Sequence, residues 1–334
     1  MSTDAPDTVP DVEDVRLAAR RLAGRVVRTP LLSSPELDRV TGGRVWLKAE
    51  NLQRTGSFKF RGATNALLAD PQAARRGVVA CSSGNHAQGM AEAARLAGVP
   101  CTIVMPADAP ALKKQRTVRA GATVVEYDRY TEDREAIARG IAEREAALFV
   151  HPFENPHVIA GQGTCGLEIA EDLAAQGVAP DAVYVCTGGG GLLAGILLAV
   201  RNAFPAVEMM AVEPEGFDDQ RRSLAAGRRL ANEEGARSIC DAIVTERPGR
   251  VSFAITNGIA TGTAVSDDEA LEAMVFAANE LKTVVEPGGA VALAAVLKAG
   301  RAGALKGRNV VATLSGGNVE PAMLARALCG EAAL

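Results

Sequence analysis

The chain has 334 residues, 48% apolar and 23% charged, the balance of a soluble globular protein long enough for roughly two domains. A formal charge of −4 and a pI near 5.6 argue against a nucleic-acid binder, which normally shows a basic patch or stripe, and nothing favours an anionic membrane partner. Aromatics are only 4%, so Ala, Val and Leu build the core, and six cysteines without a C-x-x-C pair suit a reducing cytosol better than a zinc site or a disulfide framework.

The N-terminal stretch MSTDAPDTVPDVEDV lacks the basic and apolar regions of a signal peptide, so a cytoplasmic location is expected. Helical periodicity over DVEDVRLAARRLAG stops at Gly24, and RVWLKAE reads as a strand. A regular alternation then begins. GATNALLAD is predicted helical, GVVACSS a strand, and GNHAQGMAEAARLAG a helix ending at Gly98. PCTIVMP, APALKKQRTVRAG, ATVVEYD and TEDREAIARGIAERE continue it as strand, helix, strand and helix. It resumes with HVIAGQGTCGLEIAEDLAAQG (helix), DAVYVCTG (strand), GGLLAGILLAVRNAF (helix) and VEMMAVEPE (strand). The Arg-, Glu- and Gly-rich region around 216–260 shows no clear period. Beyond it, SDDEALEAMVFAANEL is a helix with Ser266 as a candidate cap, EPGGAVALAAVLKAG another helix, and RNVVATLSGG a last strand. The longest apolar stretch, GGGGLLAGILLAV, is too short to span a bilayer. Short apolar strands alternating with helices predict an α/β fold with two open parallel sheets, whose ligands sit beyond the carboxyl ends of the strands.

Three loops follow predicted strands: CSSGNH (81–86), CTGGGGL (186–192) and LSGGNV (314–319). The four glycines of the second leave backbone N–H groups free to converge on an anion at a helix start. The loop has neither the P-loop pattern nor the dinucleotide spacing, so a phosphate without a nucleotide is its simplest ligand, with close helix–strand packing as the alternative. SSGNH is either a helix cap or a carboxylate-binding loop. His86 is the best placed of three histidines, yet it has no sequence partner that makes it a catalytic base.

Lys59, in GSFKFRG, stands between two phenylalanines. A snorkelling surface lysine is the ordinary reading. A lysine desolvated by apolar rings has a lowered pKa and becomes a nucleophilic amine able to capture aldehydes. Beside a loop shaped for a lone phosphate, that second reading points to pyridoxal 5′-phosphate (PLP).

GSFKFRG, SSGNHAQG, GQGT, TGGGGLLAG, EPGGA and LSGGN occur in the order seen in fold-type II PLP enzymes. From about Thr29 to Val319 the chain most resembles the serine/threonine dehydratases and serine racemases. The resemblance implies two open, mostly parallel twisted sheets with helices on both faces (tryptophan synthase β-like) and the cofactor between the domains. Residues 1–68 and 153–334 would form the large PLP-binding domain and 69–152 a small mobile one. The chain ends soon after LSGGN, as in short catabolic forms without a C-terminal regulatory domain, and a homodimer is expected.

The resemblance also implies roles. Lys59 holds the cofactor and acts as the base, Phe58 packs on the ring face, and Asn85 bonds the ring 3′-oxygen. Gly188, Gly189, Gly190, Gly191 and Leu192 cradle the phosphate. Glu286 belongs to the cofactor's surroundings and Ser315 faces the pyridine nitrogen. A serine hydroxyl cannot keep that nitrogen protonated, so the ring is a weaker electron sink, which suits β-elimination over transamination. Ser82, Ser83, Asn85 and His86 line the substrate-carboxylate pocket. Ser83 occupies the place where racemase-like relatives have a second acid/base.

Arg134, in YTEDREAIARG, is either part of a solvated helix face or a ligand for a second substrate carboxylate, which favours 3-hydroxyaspartate. VEPEGFDDQ (212–220) resembles a divalent-cation loop, with Glu213, Asp219 and the Phe217 carbonyl as ligands for Mg²⁺, Ca²⁺ or Mn²⁺; an acidic surface loop is the alternative. The expected activity is loss of water from L-threonine or L-serine, giving a 2-oxo acid and ammonia. Serine racemase and threo-3-hydroxyaspartate dehydratase are the alternatives, and a β-replacement synthase or a non-catalytic phosphate-ligand binder the distant ones.

Overall fold

The apolar strings that read as strands form them, and most are buried on both faces, as a sheet covered by helices on each side requires. The structure is a computed structural model that describes residues 8–330, so the first seven residues of the acidic N-terminal stretch lie outside it. Strands β1 (Leu31–Leu32) and β2 (Arg44–Ala49) come first. β3 (Val78–Cys81), β4 (Cys101–Pro106), β5 (Thr123–Tyr127) and β6 (Leu148–Phe149) build a four-stranded sheet in the order β5–β4–β3–β6. β7 (Ala182–Cys186), β8 (Glu208–Pro214), β9 (Thr261–Val265) and β10 (Asn309–Leu314) return to the first pair and complete a six-stranded sheet, β1–β2–β10–β7–β8–β9. All pairings are parallel except β1 on β2.

The helices between them start and stop on local chemistry. α1 (Val12–Leu22) opens on a capping box between Asp11 and Asp14. α2 (Pro35–Thr41) is capped by Ser34, and α3 (Lys59–Ala69) is followed by a single turn, α4 (Pro71–Ala74). α5 (Asn85–Ala97) ends on left-handed Gly98, and α6 (Ala111–Arg119) and α7 (Arg134–Glu145) complete the cover of the smaller sheet. α8 (Pro156–Ala175) and α9 (Gly191–Ala203) pack together on the larger sheet. Two short helices, α10 (Asp219–Ala226) and α11 (Arg250–Thr256), flank a long irregular segment. α12 (Asp267–Glu280) carries the Ser266–Glu269 capping box, and α13 (Pro287–Arg301) and α14 (Pro321–Cys329) follow.

Apolar clusters fill both faces of the six-stranded sheet: Val291, Leu293 and Leu314 on one side, Ile159, Leu193 and Val311 on the other. Phe60, Met90 and Ile103 belong to a third cluster, against the smaller sheet. Five cysteines are buried, Cys329 is exposed, and none of them is paired. Among the described residues no helix is long and apolar enough to cross a membrane.

One difference from the sequence reading bears on the site. α3 begins at Lys59, three residues before Gly62, where the periodicity had placed its start. Gly62 does not break the helix because α8 lies against it. A methyl there would fall 2.4 Å from Gln162 Nε2 and 2.7 Å from the Val158 carbonyl oxygen. Its missing side chain is what lets the two helices touch.

Candidate active site

The loops after β3 and β7 open into one cavity, and Asn318, from the loop after β10, reaches it too. Lys59 enters this cavity from the first turn of α3. Among the described residues its Nζ has one polar contact, 3.4 Å from the Pro152 carbonyl oxygen, and it lies 5.1 Å from the Phe58 ring centre. Enclosure of the amine pushes its pKa down to about 8, with the negative charge of Glu286 opposing the shift.

Gly188 to Leu192 line the same cavity. Outside the α9 ladder, no described carbonyl accepts from any of these five consecutive N–H groups. Buried donors without partners are uncommon, and five at a helix start make a seat for an anion. The seat is tight: a methyl on Gly189 would lie 2.4 Å from the Phe153 ring, and one on Gly190 2.8 Å from Ser252 Oγ. Gly190 also has φ +84°, a conformation glycine adopts freely. Glycines are therefore required by space as well as by backbone angle.

Around this axis the other expected residues fall into two groups. Ser82, Ser83, Asn85, His86, Glu286 and Arg134 line the cavity. Asn85 Nδ2 donates to Glu286 Oε1 (2.6 Å), and its Oδ1 accepts from Asn318 Nδ2 (2.8 Å), so one Nδ2 hydrogen remains available. Burial raises the Glu286 carboxyl to about 7. His86 Nε2 contacts the Val150 carbonyl oxygen at 3.2 Å, so that nitrogen carries the hydrogen and Nδ1 is a bare acceptor without a partner. Burial first, and the Lys59 charge second, pull its pKa to about 3, so the ring is neutral.

Ser315 lies just outside the lining. Its carbonyl accepts from Phe58 N (3.1 Å), and its hydroxyl bears on the Cys186 thiol, which does line the cavity. Arg134 is an exposed cation at the start of α7. Its neighbour Glu135 is taken by His151 (3.1 Å) and Arg139 (3.6 Å) instead.

Glu213, Phe217 and Asp219 stand apart, at the end of β8 and the start of α10. Glu213 accepts from the backbone N–H groups of Gln220 (2.8 Å) and Arg221 (2.7 Å). Burial and then the Asp219 charge raise its pKa well above the usual carboxylate range. Asp219 is pushed up to about 7 by burial, and its Oδ2 has no hydrogen-bond partner. Two buried carboxylates repelling one another fit a hard cation between them. Among the described residues no three His, Cys, Asp or Glu side chains gather at metal-ligating spacing.

Several lining residues had no signal in the sequence reading. Phe153 forms the wall behind Gly189, and outside the lining Ser252 Oγ supports the loop by donating to the Gly189 carbonyl (2.6 Å). Lys113 of α6 reaches across to Asp241 (2.5 Å), so an ion pair joins the two sides of the cavity mouth. Asp241 to Thr245 and Ser252 all come from the region without periodicity. A lone aromatic such as Phe153, in a chain with eight phenylalanines, was the one available hint.

A desolvated lysine and a phosphate-sized nest of amides, meeting beyond the strand ends of an α/β fold, define an enzyme that holds a phosphorylated aldehyde. The chain belongs to the pyridoxal-phosphate dependent enzyme family, whose model matches residues 22–316. It is 46% identical, over 92% of its length and 95% of the relative's, to an L-threo-3-hydroxyaspartate ammonia-lyase of Pseudomonas sp. It is 43% identical to the L-threonine ammonia-lyase of Thermotoga maritima, over 94% of this chain and 77% of that one. The solved structure of maize serine racemase superposes with a TM-score of 0.89 at 33% identity, covering 96% of this chain and 98% of that one.

Proposed function

We propose that the protein is a PLP-dependent ammonia-lyase that removes water from a β-hydroxy amino acid and releases a 2-oxo acid and ammonia. One juxtaposition carries the reading: the desolvated Lys59 amine and the five unpaired amides of Gly188 to Leu192 line a single cavity. PLP, when bound, supplies an electron-withdrawing ring that acidifies the substrate Cα proton. This chain's residues do the rest. Gly188 to Leu192 would hold the phosphate, Phe58 would pack on the ring, and the free Nδ2 hydrogen of Asn85 would serve the 3′-oxygen. Glu286 fixes the Asn85 amide, and the Ser315 hydroxyl, turned from the Cys186 thiol, would donate to the ring nitrogen. Ser82, Ser83 and the backbone N–H of Asn85 would take the substrate carboxylate, with the neutral His86 ring beside them.

Lys59, as a neutral amine, removes the Cα proton. The β-hydroxyl departs with a proton, so one water is lost. The enamine acid left behind takes up one water and yields the 2-oxo acid and ammonia. Ser83 is the proposed acid/base on the opposite side, which allows some inversion of L-serine beside elimination.

The substrate side chain is read at Arg134. A cavity-lining cation whose adjacent carboxylate is engaged elsewhere supports an anionic β-substituent, as does the relative named for L-threo-3-hydroxyaspartate. The purified enzyme is expected to release 2-oxo acid from L-threonine, L-serine and L-threo-3-hydroxyaspartate. Arg134→Ala should raise KM for the last by about tenfold, the scale of one charge-assisted hydrogen bond, and leave L-threonine little changed. An equal effect on both substrates removes Arg134 from recognition, and no 2-oxo acid from any of the three removes the activity.

Glu213, Asp219 and the Phe217 carbonyl are proposed to hold a divalent cation, Mg²⁺, Ca²⁺ or Mn²⁺. Saturating metal at about 100 times its Kd should stabilise the fold by about 2.7 kcal/mol. Differential scanning fluorimetry with each ion and with EDTA reads this as a Tm rise that Asp219→Asn loses. A rise that survives in Asp219→Asn places the cation elsewhere.

A further inference from the structure

Behind Lys59 lies a charge cluster that the chemistry above does not use. Arg61 is fully buried, and so are Lys48 and Glu50; Glu168 keeps only 12% of its side chain exposed. Arg61 makes a two-pronged contact with each carboxylate. Nε and Nη2 reach the two oxygens of Glu50 at 2.8 Å, and Nη1 and Nη2 reach those of Glu168 at 2.7 and 2.8 Å. Lys48 Nζ donates to Glu168 Oε2 and to the Thr29 carbonyl, both at 2.6 Å. Thr29 Oγ1 closes the ring on Glu50 at 2.5 Å. The formal charges cancel, and the cluster ties β2 and the turn after it to α3 and α8.

Stability is a weak reason for such a cluster. Desolvating four charges consumes most of their mutual attraction, and apolar replacements of similar volume are often neutral or stabilising. What paired forks provide that apolar packing does not is direction, because each bidentate contact fixes an angle as well as a distance. Direction matters at this turn. At about 100° per residue, a residue two positions on points to the far side of a helix. Arg61 is therefore gripped from behind while Lys59 projects forward into the cavity. Phe58 supplies no side-chain cap for α3, and α8 holds this turn by one neutral hydrogen bond, from Gly62 N–H to Gln162 Oε1 (3.1 Å), with a second a turn later from Asn65 Nδ2 to the His157 carbonyl (2.7 Å). Phe60 seats the turn on the smaller sheet's core, but an apolar contact tolerates rotation and sliding.

We propose that Arg61, held by Glu50 and Glu168, is a positioning residue that fixes the first turn of α3 and with it the Lys59 amine. This rests on Lys59 as the cofactor-bearing amine. A displacement of about 1 Å at a reacting group is enough to lose roughly a hundredfold in rate.

The test separates orientation from stability. A variant carrying Lys48→Met, Glu50→Leu, Arg61→Met and Glu168→Leu keeps the volume and removes every charge. It is expected to melt within a few degrees of the wild type or above it. Its kcat should fall at least tenfold with KM little changed, and the circular dichroism of its visible cofactor band should collapse. The cofactor-free proteins give a second readout: capture of pyridoxal at Lys59, trapped with borohydride and mapped by mass spectrometry, should slow several-fold. A stable variant with wild-type dichroism, kcat and capture rate overturns the proposal. If the fourfold variant does not fold, Arg61→Lys, which keeps the charge and loses the fork, is read in the same way. Failure of both to fold also overturns it, because the network is then needed for the fold itself. Absence of capture in the wild type would instead refute Lys59 as the cofactor-bearing amine, a different failure.

Discussion

Lys59→Ala is expected to give a folded protein that is colourless and inactive. The lost side chain is half-buried and makes one long polar contact, at 3.4 Å to the Pro152 carbonyl, so its removal costs the fold little. Its chemistry has no substitute: Glu286 is bonded to Asn85, and His86 is neutral with its hydrogen turned to Val150. Loss of a general base alone costs about 10²- to 10⁴-fold, and loss of the covalent anchor adds to it. Tm within a few degrees of the wild type, with no visible absorbance and no 2-oxo acid, is the expected set. Colour and turnover that survive the substitution refute the assignment.

The same amine gives a pH signature in the cofactor-free protein. Only the neutral form is nucleophilic, and burial lowers the pKa to about 8. Labelling of Lys59 by an amine reagent should therefore rise with a midpoint near 8. Glu286 opposes the shift, so Glu286→Gln should move the midpoint lower still. The linked effect on stability follows from proton counting. Between about 8 and the ordinary value of 10.5 the unfolded chain holds a proton that the folded chain does not, so cofactor-free stability gains a contribution as pH rises across that window. A midpoint near 10.5 would show the amine to be solvated.

Much of this site was legible because an α/β fold brings its strand ends together. Lys59, SSGNH and TGGGGL are far apart in sequence, and one topological rule predicts their meeting. What the sequence does not show depends on paths that no local rule dictates. Asp241 to Thr245 come from a segment with no repeat, held in place by tertiary contacts such as that of Ile243 against Gly188. β9, Thr261–Val265, has a glycine and partly exposed residues along most of its length, so, like the two-residue β1 and β6, it lacks the apolar run by which the longer strands announce themselves. The start of α3 was misplaced because glycine is a poor helix former, a preference that packing against α8 overrides. Arg61, four bonds deep in buried charge, reads in sequence as one more surface cation.

Gly189→Ala is expected to strip the protein of its cofactor. The added methyl would lie 2.4 to 2.6 Å from three carbons of the Phe153 ring, well inside contact distance. That ring has little freedom to retreat. It stacks edge-on against His151 with centroids 4.6 Å apart, and His151 Nδ1 accepts from the N–H groups of Phe153 (3.3 Å) and Glu154 (3.0 Å). Pro152, between them, supplies the carbonyl that touches Lys59, so movement of this segment disturbs both the amine and the phosphate seat. Overpacking of this kind costs about 1–3 kcal/mol, and the five amides lose their convergence as the loop yields. PLP retention during gel filtration should fall at least tenfold, with a Tm lowered by several degrees. Phe153→Leu on the Gly189→Ala background should restore part of the retention, because it removes the ring the methyl strikes. A chemically identical change at Gly140, in α7 with no atom near the added methyl, should leave retention unchanged and raise Tm slightly, as alanine for glycine does inside a helix. Gly189→Ala with wild-type retention and Tm would show that the glycine loop is no cradle, and the phosphate would have to sit elsewhere.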